Sequence, residues 1–423
     1  MASFSLLFAY LLSFVFEGRV MYEILHARGI SSHEFIFVAI LSHFIGLVSC
    51  GFVIHPFLGA KNTMLAGMAG CFFGTLAFFS NLPMPVLESA LALCAYSSGC
   101  AVAAWGYYLK TCTPRNEKLK TCADVLIYSN IIMTFINFVT ILTFPLAGLF
   151  LSLLTLLLSA AFTYLLPKEE LASEKEARAA GEDEPDRSLR TPMVFLIVFV
   201  VLLTINSGLM YQVLNPAFEH LSSIACWYWA LPYIVVLWIM RNLPRSINRS
   251  YFLYVGMAMV MASFIAFMLL KRGPVDYLIV DTLMLGACGI FDLFWWSIIG
   301  EMLDFSEKPV RTAGICISAN VFGVFLGGLL GNLITSVKLP DSHTTVIALS
   351  VVCVTLAIMP ALNRRLLHLL KTHSYLLAYS ELPATSKAKI VSVAKAVNPL
   401  TDRECEVLDL ILSAKSNKAI AEK

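Results

Sequence analysis

The chain has 423 residues, of which 58% are hydrophobic and only 14% charged, with a net charge of +2 and a mean hydropathy of +0.78. A soluble chain carries about 25% charged and about 45–50% apolar residues, and at this length the apolar excess cannot be hidden in a water-soluble core. That excludes a soluble enzyme, a disordered protein and a secreted disulfide scaffold, and it predicts an all-α fold: a polytopic membrane bundle.

Apolar runs long enough to cross a bilayer recur near 3–25, 34–54, 59–80, 84–108, 121–143 and 145–166. The first is retained as a membrane span because no small-residue cleavage site follows it. It is also the weakest, since Glu17, Arg19 and Glu23 fall in its second half. Residues 167–191 interrupt the series with charge of both signs and little apolar content, as in a cytoplasmic linker. Further runs follow near 192–214, 221–240, 251–270, 275–300, 311–336 and 342–362, so the linker divides about twelve transmembrane helices into six (1–166) and six (192–362).

The basic residues orient the bundle. With the N-terminus in the cytoplasm, fifteen Lys and Arg fall in inside loops and only Arg19, Arg28, Lys271, Arg272 and Lys338 fall outside. Both termini are therefore expected in the cytoplasm, with the bundle in the cell's inner (cytoplasmic) membrane. Glu301, Asp304, Glu307, Lys308 and Arg311 make up a mixed inside loop expected to be a solvated face. Gly323, Gly327 and Gly331 form a row on one helix face that invites close packing.

Eleven cysteines are scattered without a C-x-x-C pair. Most lie in apolar runs, where Cys behaves as a small hydrophobe; Cys112 and Cys122 are expected in a polar loop. No nucleophile elbow, phosphate loop or metal-ligand cluster stands at usable spacing, so neither an enzyme, a metal site nor a cofactor is expected.

A shift of 189 lays Met21-Tyr22-Glu23-Ile24-Leu25 on Met210-Tyr211-Gln212-Val213-Leu214 and Gly67-Met68-Ala69 on Gly256-Met257-Ala258. A shift of 190 lays Gly99 and Trp105 on Gly289 and Trp295, and Asn130 and Phe135 on Asn320 and Phe325. A nearly constant offset pairing spans 1, 3, 4 and 5 with 7, 9, 10 and 11 reads as an internal duplication.

Two parallel six-helix halves joined by a charged linker resemble the major facilitator superfamily, over about residues 1–362. The loop signature between spans 2 and 3 of that superfamily is faint here: Gly51 to Lys61 keeps glycines and a base but has no acid for gating, nor does the 8–9 loop, Arg241 to Arg249. The resemblance implies that spans 1, 4, 7 and 10 line a central cavity. Its candidate lining is then Glu17, Arg19, Tyr22, Glu23, Trp105, Asn206, Tyr211, Gln212, Asp281, Asp292 and Trp295. Ionisable groups within spans are costly and usually face a cavity or a partner; Asp292 is the leading acid.

After a juxtamembrane stretch at 363–397, residues 398–423 change character. Thr401 and Glu404 form a capping box ahead of an apolar-periodic helix, and Ser416 caps another. Leu400, Thr401, Arg403, Glu404, Glu406, Val407, Leu408 and Leu410, then Ser416, Asn417, Lys418, Ile420 and Ala421, resemble the opening of a LuxR-type helix-turn-helix domain. The match covers about the first third of that domain, and the recognition helix lies beyond it. A fragment of a longer gene product, or a truncated gene, is expected. The DNA-binding candidates are Thr401, Arg403, Glu404, Ser416, Asn417 and Lys418, with DNA contact and C-terminal dimerisation expected only of a completed domain.

Two functions follow. The first is a membrane-bound transcriptional regulator in which the bundle senses a small molecule. The alternative is a facilitator-type secondary transporter of a small solute.

Overall fold

A computed structural model describes residues 1–16, 18–30, 33–114, 117–168, 186–243, 250–304, 306–337, 346–347 and 349–357. Among them every regular element is helical. The helices are α1 (Ala2–Tyr10), α2 (Arg19–Ala27), α3 (His33–Ser49), α4 (His55–Leu76), α5 (Met84–Thr111), α6 (Lys118–Leu142) and α7 (Pro145–Tyr164). Then follow α8 (Asp186–Leu209), α9 (Ser222–Tyr228), α10 (Leu231–Arg241), α11 (Ser250–Leu269), α12 (Pro274–Leu303) and α13 (Pro309–Ser336). Helix starts at Pro145, Pro274 and Pro309 use a residue whose missing N–H has no intrahelical partner to lose. At α12 the Asp276 carboxylate also accepts the Gly273 N–H at 2.8 Å.

Nine continuous stretches of the described residues are long and apolar enough to span a membrane. One, Phe35–Phe79, has 45 residues, about twice what a bilayer needs. It contains spans 2 and 3, which separate at Gly59, where φ is +72° and only glycine sits without strain. Span 8 is α9 plus α10, interrupted before Pro232. Helical residues 349–357 fall within the expected twelfth span. The chain is thus a polytopic all-helical bundle embedded in lipid.

The first span departs from the continuous helix expected over 3–25. After a π turn at Leu11–Val15 it breaks, with Gly18 extended (φ −74°, ψ 151°). A Cβ at Gly18 would stand 1.7 Å from the Ser13 carbonyl oxygen. The N–H of Arg19, freed by the break, donates to Asn137 Oδ1 of span 5 at 3.0 Å. Irregular backbone at membrane depth persists only where such a partner, or a watered cavity, satisfies it.

Packing repeats with a period of six spans. Span 1 lies on span 5 as span 7 lies on span 11, span 3 on 4 as 9 on 10, and span 2 on 4 as 8 on 10. Contacts between the two sets follow the same rule: 2 on 11 matches 8 on 5, and 4 on 11 matches 10 on 5. This recurrence is what a duplication of six spans would give. The glycine row packs as expected: a Cβ at Gly323 would stand 2.0 Å from Thr204 Oγ1, and one at Gly327 2.1 Å from the Ile205 carbonyl.

Most of the linker (169–185) and the whole of 358–423 lie outside the described residues. The tail residues Thr401, Arg403, Glu404, Ser416, Asn417 and Lys418 fall there, and so does Glu17 in the first span.

Candidate functional site

Between the two sets of spans lies a cavity of about 710 Å³, within the range of small-molecule sites. Spans 1, 2, 5, 7, 8, 10 and 11 supply most of its lining. It runs out to His26, Ile30, Phe218 and Glu219, at the ends of spans 1 and 7 remote from the N-terminus. Of the residues expected there, Arg19, Tyr22, Glu23, Tyr211, Gln212, Asp292 and Trp295 line it.

Three expected residues do not, and each for a packing reason. Trp105 is buried below the floor, stacked on Phe4 at 3.9 Å between ring centroids and edge-on to Trp296 at 5.8 Å. Asn206 points the other way, towards Met257, Phe291 and Thr355. Asp281 is buried nearer the outer end of α12, with Oδ2 unpartnered. The expected cavity set is corrected accordingly.

Asp292 is held from two sides: Tyr233 donates its hydroxyl to Oδ2 at 2.8 Å, and Trp295 donates Nε1–H to Oδ1 at 3.0 Å. Trp295 and Trp296 stack at 4.9 Å, and Tyr211 and Trp229 approach to 6.1 Å. Span 1 contributes Arg19 and Glu23 from the segment beyond its break. Residues not anticipated include His43, Asn130, Asn137, Trp229 and Tyr233. One signal could have found a pair of them: His43 and Tyr233 stand 190 residues apart, the offset of the repeat. His43 is fixed on Ser98 Oγ at 2.9 Å through Nδ1.

At the N-terminal face the two sets of spans are locked together. Lys118 of span 5 is 1% exposed; its ammonium donates to the Gly300 carbonyl at 2.8 Å and pairs with Asp304, both from the end of span 10. Lys110 donates to the Ser306 carbonyl at 2.7 Å. Arg241 of span 8 makes a forked pair with Asp124 of span 5, Nη2 to Oδ2 at 3.0 Å. The Arg311 guanidinium lies 4.1 Å over the Phe52 ring. Positions 52 and 241 are 189 residues apart, so repeat-related sites make the two cross-contacts. The mixed loop expected to be a solvated face is exposed at Glu307 and Lys308 and corrected at Asp304 and Arg311, which join the contacts between the two sets of spans. The acids missing from the 2–3 and 8–9 loops have counterparts in Asp124 and Asp304.

The Arg241 side chain is 32% exposed and that of Asp124 16%, so this pair is worth about 1 kcal/mol or less. Arg241→Ala should lower the thermal midpoint of the purified protein only slightly. A large drop would mean that this fork, and not the buried Lys118 pair, holds the face shut.

No protein-family model and no curated protein matches the chain. Solved structures do. The human organic anion transporter MFSD10 (TETRAN) aligns with TM-score 0.64 at 12% identity, over 85% of this chain and 98% of that one. The proton:xylose symporter XylE of the major facilitator superfamily, bound to 6-bromo-6-deoxy-D-glucose, aligns with TM-score 0.63 at 13% identity, over 85% and 92%. A double tryptophan mutant of XylE aligns with TM-score 0.61 at 13% identity, over 86% and 94%. At such identities the likeness establishes the fold: a facilitator-type bundle.

Proposed function

We propose that this facilitator-type fold works as a secondary transporter of a small organic solute, the alternative raised by the sequence, and not as an enzyme. The observation that carries the reading is a cavity reached from one side and shut at the other by charge pairs between the two sets of spans. Alternating access needs both features: a fixed site at mid-depth, and a closure whose partners separate when the two halves rock. Two halves at 1–166 and 192–362, joined by the 167–191 linker, would be the rocking bodies. By the basic-residue bias the closed face is cytoplasmic, in an inner membrane with both termini inside, and the cavity opens outward.

The test is flux. Purified protein in vesicles should give saturable uptake and counterflow of a solute from a panel of organic cations, organic anions and sugars. The substitution Asp292→Asn should depress that flux at least about tenfold, as loss of a buried charged contact does. A panel that binds without flux would sink the transport reading.

The tail motif at 398–423 favours a second reading. There the same rocking would be a sensor stroke, transmitted to a LuxR-type tail that dimerises and binds DNA. A solute can bias the bundle by no more than its differential affinity for the two states. Ligand-dependent DNA binding by the protein would support it, and ligand-independent binding or none would remove it.

A further inference from the structure

Asp292 lies near the middle of the 30-residue helix α12, too deep for its carboxylate to reach interfacial water along its own side chain. It faces the cavity and accepts hydrogen bonds from Tyr233 and Trp295, one at each oxygen. Two donors fix the direction of the carboxylate, which keeps lone pairs for further partners. Yet among the described residues no Lys or Arg forms an ion pair with it. A charge at membrane depth is normally matched by a counter-ion. Here the protein supplies the geometry for one and leaves the position to the cavity.

The surroundings state which counter-ion fits. Tyr211, Trp229, Tyr233, Trp295 and Trp296 line the same cavity. Aromatic faces attract a cation and exclude an anion, and the effect grows as water is removed. The charged lining beyond them agrees: among the described residues Glu23 and Glu219 stand with Asp292, and of Lys and Arg only Arg19 lines the cavity. We infer that the cavity takes an organic cation, an ammonium-type head attached to an apolar or aromatic body, with Asp292 as its counter-ion and the aromatic residues as its walls.

The inference rests on the cavity being the solute site, and it can fail separately from transport. The probe is benzyltrimethylammonium, with benzoate and glucose as the anionic and sugar comparisons, titrated onto the full purified chain by calorimetry. The cation should bind saturably and the other two should not. Asp292→Asn should weaken it about tenfold or more, Asp292→Glu less, and Trp229→Leu severalfold. Should the Asn variant fail to fold, thiol labelling of wild-type Cys288, which lines the cavity, decides: the cation should protect it and benzoate should not. Equal cation affinity in a folded Asn variant, preference for benzoate, or no cation binding would each overturn the inference. Cation binding without flux leaves it standing and removes the transport reading; flux of benzoate or glucose without cation binding does the reverse.

Discussion

Replacing Lys118 by Ala is expected to open the N-terminal face. In the closed arrangement the Lys118 side chain is 1% exposed and that of Asp304 14%, so the substitution takes a buried cation away from the Asp304 carboxylate. Removing one partner of a buried pair costs about 3–5 kcal/mol. The cost falls on the closed state alone, because opening the face returns Asp304 to solvent. A penalty of that size moves a two-state equilibrium by roughly a hundredfold or more. Spin labels at the exposed positions Lys120 and Glu307, on spans 5 and 10–11 of this face, should show a short separation in the parent protein and a longer, broader one in Lys118→Ala. The double change Lys118→Met with Asp304→Leu should recover much of the closure, because an apolar pair replaces a buried ion pair at little cost. If Lys118→Ala leaves the separation unchanged, the pair is ornamental to the closure.

The second large effect is expected at Gly327. Spans 7 and 11 touch there backbone to backbone: a Cβ on Gly327 would lie 2.1 Å from the Ile205 carbonyl oxygen and 2.9 Å from the Gly208 Cα. Neither atom can rotate aside as a side chain can, so the helices must separate along their length. Overpacking costs about 1–3 kcal/mol where side chains absorb it, and Gly327→Val should exceed that range. Small residues are what allow helices in lipid to approach so closely, since no hydrophobic force drives them together there. The expected result is loss of the monodisperse species in detergent, or a thermal midpoint lowered by many degrees. Gly273→Ala is the matched control, because a Cβ there would meet only Asp276 Oδ2, at 3.5 Å; it should behave as the parent.

What the sequence disclosed divides along physical lines. Span positions were legible because a run of about twenty apolar residues matches the thickness of a bilayer and exceeds what a buried core helix needs. The glycine row was legible because its spacing matches one helix face. The break in span 1 was visible only as misplaced charge around Arg19 and Glu23; that it is a real discontinuity depends on Asn137, 118 residues away, taking the orphaned Arg19 N–H. The cavity was half legible. Asp281 and Asp292 are eleven residues apart, about three helical turns, and so share a face of α12. One meets the cavity and the other a packed neighbour, because depth decides what lies opposite and periodicity carries no depth. Trp105 shows the same limit: its repeat-mate Trp295 lines the cavity, while Trp105 itself is covered by Phe4. The closure is not legible because the 2–3 and 8–9 loops, Gly51 to Lys61 and Arg241 to Arg249, carry no acid. The same charge logic is met here by Asp124 and Asp304 at helix ends, contacts that only tertiary packing reveals.

The most direct test is the side from which the cavity can be reached. Protein reconstituted in one orientation is exposed to a membrane-impermeant maleimide from either face, and modification of Cys288 is followed by peptide mass. The parent protein should be labelled from the face remote from the N-terminus alone, and Lys118→Ala should be labelled from the N-terminal face. Labelling of the parent from both faces, as in an open pore, or a pattern unmoved by Lys118→Ala, would contradict a cavity gated by the Lys118 closure.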